Sequence, residues 1–563
     1  MDAALENLQV AHLRTNFMFP FSIERELVQN HHPGIWGAVD GSGSRRWLEG
    51  LDEWIARHQG MPHLGVWQRA SHTQFDVESS AYQDMVFFHP FVRRIFFDAG
   101  SQSSAQAEQE NLVRRYKMPV PEGSQLLMRA ETVTGRSVEV AIDGLTLFLF
   151  ANGIGVLSIG IDAVNIPARR ALWINEMMRK LYPSSGRQRR EGRVPSHLAI
   201  TLVRDGQRTT LAEETFEVCE IKSFQPPLSN LVSSLLYFAD YPAQEYEPVL
   251  DDRMIVYSYI ALDPKSATTE WRNSEAYEQF VSRAIYVDQL NDGYRYEPEF
   301  TRQLMRRQVY RRWAHQGTFY GFSSYSTVTV AFGEFDCDDH QLREGFLIHR
   351  MFRSRYYLMM LVAVFYRATL LDFAERVALV SKRLNRDSED DRLTPETIRF
   401  VNMLRAEFFN FTNYWHFDEL ANKDEESEHF TMMCDAYRIR PMIEDTEREV
   451  NRLHTSLTEY YQSRNTQAVN RLAMISMILG AGAVLTGFFG MNFAGGFAKV
   501  FFEPGGEWSW PHWAAIIGVT LFALGAVGFG LFVVAANWMD YRDVLLPSSS
   551  ARRRNGDSLK HVD

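Results

Sequence analysis

Two charge-free apolar runs lie close together near the C-terminal end of this 563-residue chain. The first starts at Leu472, is broken only by Ser476 and Thr486, and closes on Gly490-Met491-Asn492. The second covers 513–536. Each is long enough for one helical crossing of a bilayer, which takes about 20 apolar residues. Mean hydropathy over the whole chain is nevertheless −0.26. That balance describes a mostly soluble protein with a small membrane anchor, and it excludes a multi-helix transporter.

The length suggests two to four units. The opening Met1-Asp2-Ala3-Ala4-Leu5-Glu6 lacks the basic and apolar regions of a signal peptide. Cys219, Cys337 and Cys434 are far apart, without C-x-x-C spacing. They argue against a disulfide framework or zinc ribbon and fit a reducing cytoplasm for the soluble part. A net charge of −11 speaks against nucleic acid as a partner and suits a vestibule that concentrates cations. No G-x-S-x-G, H-E-x-x-H or Walker spacing occurs, so an enzyme is not expected.

Residues 1–125 give no clear period. Met85 to Phe91 reads as a buried strand or short helix stopped at Pro90. Strand-like runs at 138–142, 145–150 and 156–161 are punctuated by Asp143-Gly144 and Asn152-Gly153, both hairpin dipeptides. A helix is predicted over 168–181, and the basic stretch 184–190 reads as a surface loop. Strands are predicted at 254–262 and 327–332. Strands alternating with helices over 80–335 suggest an α/β domain. Beyond Gly345 the pattern is helical almost throughout. The apolar run 356–366 is too short to span and is flanked by Arg353, Arg355 and Arg367, so it reads as a buried soluble helix. Thr394-Pro395-Glu396 reads as an N-cap, a first-turn proline and an acidic first turn, and the acidic stretch 387–391 as a solvated loop.

From Pro441 nothing breaks the helix. Ile443, Thr446, Val450, Leu453, Leu457 and Tyr460 form a heptad-like seam, suited to a stalk packed against copies of itself or to one helix packed on its own domain. Arg464 and Arg471 precede the first run; Arg542 and Arg552-Arg553-Arg554 follow the second. Lysine and arginine favour the cytoplasmic side, so both termini are expected inside and the connector outside. Trp508, Trp510 and Trp513 mark the outer interface and Trp538 the inner one.

Ser476, Gly480, Ala483 and Gly487 recur at three- and four-residue spacing and define one small-residue face. Such a face serves close helix packing, or it lines a pore with room for a hydrated ion. Mg²⁺ sheds water reluctantly and is usually bound with several waters retained. A site for it therefore needs neutral oxygen acceptors, which a ring of asparagine carbonyls supplies.

Gly490-Met491-Asn492 at the outer end of the first of two C-terminal helices resembles the signature of the CorA family of divalent-cation channels. Tyr414-Trp415-His416-Phe417-Asp418-Glu419-Leu420-Ala421-Asn422 and Gly317-Thr318-Phe319-Tyr320-Gly321-Phe322 resemble pre-stalk segments of larger CorA-like proteins. The resemblance covers about 310–540. It implies a homopentamer in the inner membrane that passes Mg²⁺ or a similar divalent cation. It also implies a selectivity filter of Gly490, Met491 and Asn492, with Asn492 ordering the hydrated cation and Ser476, Gly480, Ala483 and Gly487 lining the pore. Mg²⁺ would be the transported or regulatory ion, with no organic cofactor.

The layout so implied has a cytoplasmic α/β domain at 1–340, a helical domain at 341–440 and a stalk helix at 441–471. The pore helix follows at 472–491, the outer loop at 492–512, the second span at 513–536 and a basic tail at 537–563. One departure is that Ala494-Gly495-Gly496 follow Phe493, with acids arriving only at Glu503 and Glu507. The family's regulatory aspartates have no counterpart that can be placed, and Asp336, Asp338, Asp339 and His340 read as a charged turn. Two alternatives remain. One is a ZntB-like zinc transporter, a group that usually departs from methionine in the motif. The other is a signal-gated CorA-like effector of the kind accompanying type III CRISPR systems, answering a nucleotide messenger derived from S-adenosylmethionine.

Overall fold

The computed structural model describes residues 5, 7–23, 67–70, 86–97, 112–181, 186–216, 229–236, 246–250, 253–268, 271, 273–290, 295–332, 347–389 and 393–490, with scattered positions from 510 to 532. The chain forms two compact units, Met1–Leu379 with Met403–Glu449, and Val380–Asn402 with Val450–Asp563. Residues 341–440 therefore divide between the two.

The first unit is organised by one sheet. In chain order its strands are β1 (Gln9–Ile23), β2 (Gln68–Arg69), β3 (Val113–Lys117), β4 (Ser124–Glu131), β5 (Ser137–Phe150), β6 (Ile154–Pro167), β7 (His197–Arg204), β8 (Gln207–Thr215), β9 (Tyr246–Pro248), β10 (Ile255–Leu262), β11 (Val309–Tyr310), β12 (Thr318–Ser323) and β13 (Ser326–Phe332). The helices are α1 (Pro90–Phe96), α2 (Ala168–Met178), α3 (Gly186–Arg190), α4 (Asn230–Leu235), α5 (Glu275–Tyr286), α6 (Pro298–Arg307), α7 (Leu347–Arg353), α8 (Arg355–Glu389), α9 (Pro395–Asn410), α10 (Asp424–Ala436) and α11 (Ile439–Gly490).

The sheet runs β11-β12-β13-β10-β1-β6-β5-β4-β7-β8, with β3 beside β5 and β9 beside β1. Among the described residues only β10 and β13 pair in parallel. The domain is thus α/β in content but mainly antiparallel in pairing.

Three local expectations change. The dipeptide Asp143-Gly144 is no turn: β5 runs through it, and the register against β6 slips between Ile142 and Gly144 as a bulge. The hairpin turn falls at Asn152-Gly153, where Gly153 has φ 94° and the Asn152 side chain accepts from the Ile154 N–H at 3.2 Å. Pro90 opens α1 instead of stopping a segment, because the first helical N–H has no intrahelical partner for proline to remove. The basic stretch read as a loop contains the short α3.

The central strand β1 lies in the stretch without a clear period. It pairs with β6 on one side and with β10 and β9 on the other. Pro20 is tolerated because its carbonyl accepts from the Val249 N–H, on the side where β10 has ended at Met18↔Ile255. The absent proline N–H thus falls beyond the ladder with β10.

Period-2 alternation assigns the two sheet faces. Tyr257 and Tyr259 of β10 meet α7, with the Tyr257 and Phe352 rings stacked at 4.1 Å. Ser258 points to the opposite face, where Thr15, Asn175 of α2 and Ser258 bond one another at 2.8–3.0 Å. Gly321 on β12 is fixed by packing, since a Cβ there would lie 2.4 Å from the Ile285 side chain of α5.

Helix α8 explains the run 356–366. Leu347–Asp387 is long and apolar enough to cross a membrane. Its middle is instead buried in the first unit, where Met359, Ala363, Val364 and Phe365 have no exposed surface and Phe365 stacks on Phe150 of β5 at 4.1 Å. It is a core helix.

In the second unit the start of α9 matches expectation: Thr394 Oγ1 accepts from the Thr397 N–H at 3.3 Å and Pro395 is the first helical residue. The acidic stretch does not begin as a loop, because α8 continues to Glu389.

Candidate functional site

Helix α11 is continuous for 52 residues and carries the expected stalk and first span. Pro441 is its third residue, where no intrahelical N–H is lost. Ser476, Gly480, Ala483 and Gly487 fall within about 60° of arc around the axis at 3.6 residues per turn. All four are exposed in the single chain, and among the described residues a Cβ built on Gly480 or Gly487 meets nothing within 4 Å. Leu472, Ile475 and Leu479 form an exposed apolar stripe on an adjacent face. Gly490 is the last described residue of the helix; Met491 and Asn492 lie outside the described residues. Beyond them Trp510, Trp513, Ile517, Leu521, Leu524 and Phe532 are helical and exposed. Apolar surface of this extent is unfavourable in water at about 25 cal/mol per Å². It marks a surface for lipid or for other protein.

The seam below it is a correction to the reading as a contact between copies. Val450, Leu453 and Leu457 are already buried inside one chain. Val380, Leu384, Leu393 and Val401 are buried in the same unit, and Tyr460 Oη accepts from the Leu393 N–H at 3.3 Å. With Ile443 and Tyr460 half-buried, most of the seam is covered within the chain.

Helix α10, which leads into α11, is held by its acidic residues. Glu425 accepts from the Tyr356 hydroxyl at 2.8 Å, Glu426 pairs with Arg355 at 2.8 Å, and Glu428 takes the Tyr310 hydroxyl and Arg312. Between these bonds His429 is enclosed by the rings of Tyr310, Tyr320, Phe322 and Tyr356, at 4.1–5.8 Å between centres. Burial drops the His429 pKa to about 3. Burial and the neighbouring Glu425 raise those of Tyr320 and Tyr356. The joint between α10 and α11 is Tyr437-Arg438, with Arg438 at φ 57°.

A second charged cluster escaped sequence reasoning. His12 and Arg14, two apart on β1, meet Asp162 of β6: His12 Nε2 lies 3.1 Å and Arg14 Nη1 3.6 Å from the same carboxylate oxygen. Arg14 also pairs with Asp143 at the β5 bulge, and the His349 ring of α7 lies 4.7 Å from that of His12. Burial alone would raise the Asp162 pKa, but the His12 hydrogen bond and the charges of His12 and Arg14 leave it lowered. Burial and Arg353 lower that of Arg14 to about 10. The polar-x-polar spacing His12-x-Arg14 was the available signal, hidden because both faces of β1 are covered. Asp336, Asp338, Asp339 and His340 lie outside the described residues.

With this geometry in view, residues 397–532 match the family described as CorA-like Mg2+ transporter protein. The chain carries a CorA-like transporter segment. The segment begins in α9, takes in α10, α11 and the connector, and ends in the second apolar run. No curated protein matches the chain.

Proposed function

We propose that this protein is a membrane channel or transporter for Mg²⁺ or a similar divalent cation, with α11 from several copies lining the path and Gly490-Met491-Asn492 at its outer mouth. The observation that carries the reading is the CorA-like match over the two apolar runs, the first of which closes on that motif. The exposed small-residue face supports it, since among the described residues nothing lies within 4 Å of a Cβ built on Gly480 or Gly487. Two spans cannot enclose a path, so copies must assemble by symmetry, and we place five around the axis with both termini cytoplasmic. Asn492 supplies neutral acceptors to the water shell of an entering Mg²⁺. Met491 sits unchanged in the motif, which favours this reading over the ZntB-like zinc transporter.

One observation favours a second reading, a signal-gated effector answering a nucleotide messenger: the sheet-bearing unit is far larger than a conduction path needs.

Ion flux into liposomes carrying the purified protein tests the primary reading. Mg²⁺ entry that is independent of a proton gradient is expected. Absence of divalent flux, or flux of zinc driven by a proton gradient, would contradict it.

A further inference from the structure

At the end of α2 lies a charged corner of the first unit with no part in the pore. Arg179, the C-cap of that helix, is 2% exposed. Its Nη2 donates to the Val287 carbonyl at 3.5 Å, a long contact, and its guanidinium lies 4.9 Å from the centre of the Tyr325 ring. Among the described residues Nε and Nη1 find no acceptor.

Nor does a carboxylate pair with Arg179 among the described residues. Glu176 accepts from Lys180 at 2.8 Å and from the Gln289 N–H at 2.9 Å, and Asp288 takes the Tyr296 hydroxyl. Cations gather there instead. Lys180 is next in the chain and forms a β-bridge with Arg253. Burial first, and then the charge of Arg253, lower the Arg179 pKa, against the opposing pull of Tyr325, Glu176 and Asp288, none of which bonds to the guanidinium among the described residues. A buried cation without a hydrogen-bonded counter-ion is disfavoured.

The backbone is strained at the same place. Val287 ends α5 at φ 53° and ψ 47°, a left-handed conformation that is an outlier for a β-branched residue. It is the residue whose carbonyl faces Arg179. Strain of this kind collects at binding and catalytic sites. The corner opens to solvent through Arg253, Asp288 and Tyr325, which are half-buried, and Ser324, which is exposed.

We propose that this corner is an anion site, in which Arg179 supplies its unspent Nε and Nη1 donors to a phosphate or carboxylate group of a small ligand that packs against Tyr325. Arginine suits either oxyanion, and Lys180 and Arg253 add positive potential. The site belongs to the sheet-bearing unit and does not depend on what the pore conducts.

The test uses the full-length chain in detergent, titrated with inorganic phosphate in one arm and acetate in the other, against chloride at equal ionic strength. One oxyanion should raise the thermal unfolding midpoint of the wild type, increasingly with concentration, as a ligand bound only by the folded state must. The arm that responds assigns phosphate or carboxylate. In chloride Arg179→Met should unfold at or above the wild-type midpoint, since it removes an unpaired buried charge, and it should lose the anion response. Tyr325→Leu should weaken the response several-fold. The proposal is overturned if neither anion shifts the wild type, if Arg179→Met keeps the full response, or if Arg179→Met fails to fold in chloride, which would show the guanidinium already satisfied.

Discussion

At the scale of single residues, His429 gives a pH dependence with a definite sign. The folded chain holds it neutral down to about pH 3, whereas an unfolded chain protonates it near its ordinary pKa of about 6.5. Between those values the unfolded state binds the extra proton. The contribution of neutral His429 is therefore complete above about pH 6.5 and is lost as pH falls toward 3. His429→Phe, which fits a cage of rings, should flatten the acid-side loss of stability by up to about 1.4 kcal/mol per pH unit. Denaturation of the purified chain from pH 7 downward checks this; an unchanged slope would refute it. Beside it, Glu426→Ala removes the carboxylate that pairs with the buried Arg355 at 2.8 Å, at a cost of about 3–5 kcal/mol. An unfolding midpoint close to wild type would count against that. Neither role was legible beforehand. The acids at the start of α10 announce a helix N-terminus, but nothing in their order says that Glu426 turns inward while Asp424 stays in water. His12 and Arg14 were hidden for a related reason, since a strand covered on both faces shows no alternation to interrupt.

At the scale of elements, helices were read more faithfully than strands, and physical causes account for it. The start of α9 carries its own chemistry in Thr394 and Pro395, and so does the continuity of α11 beyond Pro441. The register of β5 depends on partners far away in sequence, so Asp143-Gly144 reads as a turn where the sheet makes it a bulge. The seam of α11 was visible as a pattern, but its partner was not, because periodicity shows that a face is buried and not against what. Leu453→Ala should accordingly destabilise the single chain by about 2–5 kcal/mol while leaving the number of subunits unchanged. Unfolding together with the mass of the detergent-solubilised particle separates the two effects, and dissociation without loss of fold would restore the seam as a contact between copies. Gly480→Leu probes the other end of the same helix. Among the described residues nothing lies within 4 Å of a Cβ added at Gly480. Its expected effect, unchanged expression with flux blocked or assembly weakened, would therefore report on neighbouring copies or on the path itself.

At the scale of the whole molecule, the chain carries a sheet-bearing unit and a segment that matches the CorA-like family. The position of that segment was readable from two apolar runs and three residues at the end of one of them. The anion corner at Arg179 was not, because α2, α5, β10 and the β12–β13 turn meet only in the fold. The central claim rests on the Asn492 side chain meeting a hydrated cation, and it is tested most directly by Mg²⁺ flux into liposomes of equal protein content bearing wild type or Asn492→Ala. Truncation at a pore mouth removes acceptors without opening a packed core, so the variant should express and assemble as the wild type does. Its selective Mg²⁺ flux should disappear. If Asn492→Ala carries Mg²⁺ at the wild-type rate and with the wild-type preference over monovalent ions, Asn492 does no more than end a helix, and the proposed filter is wrong.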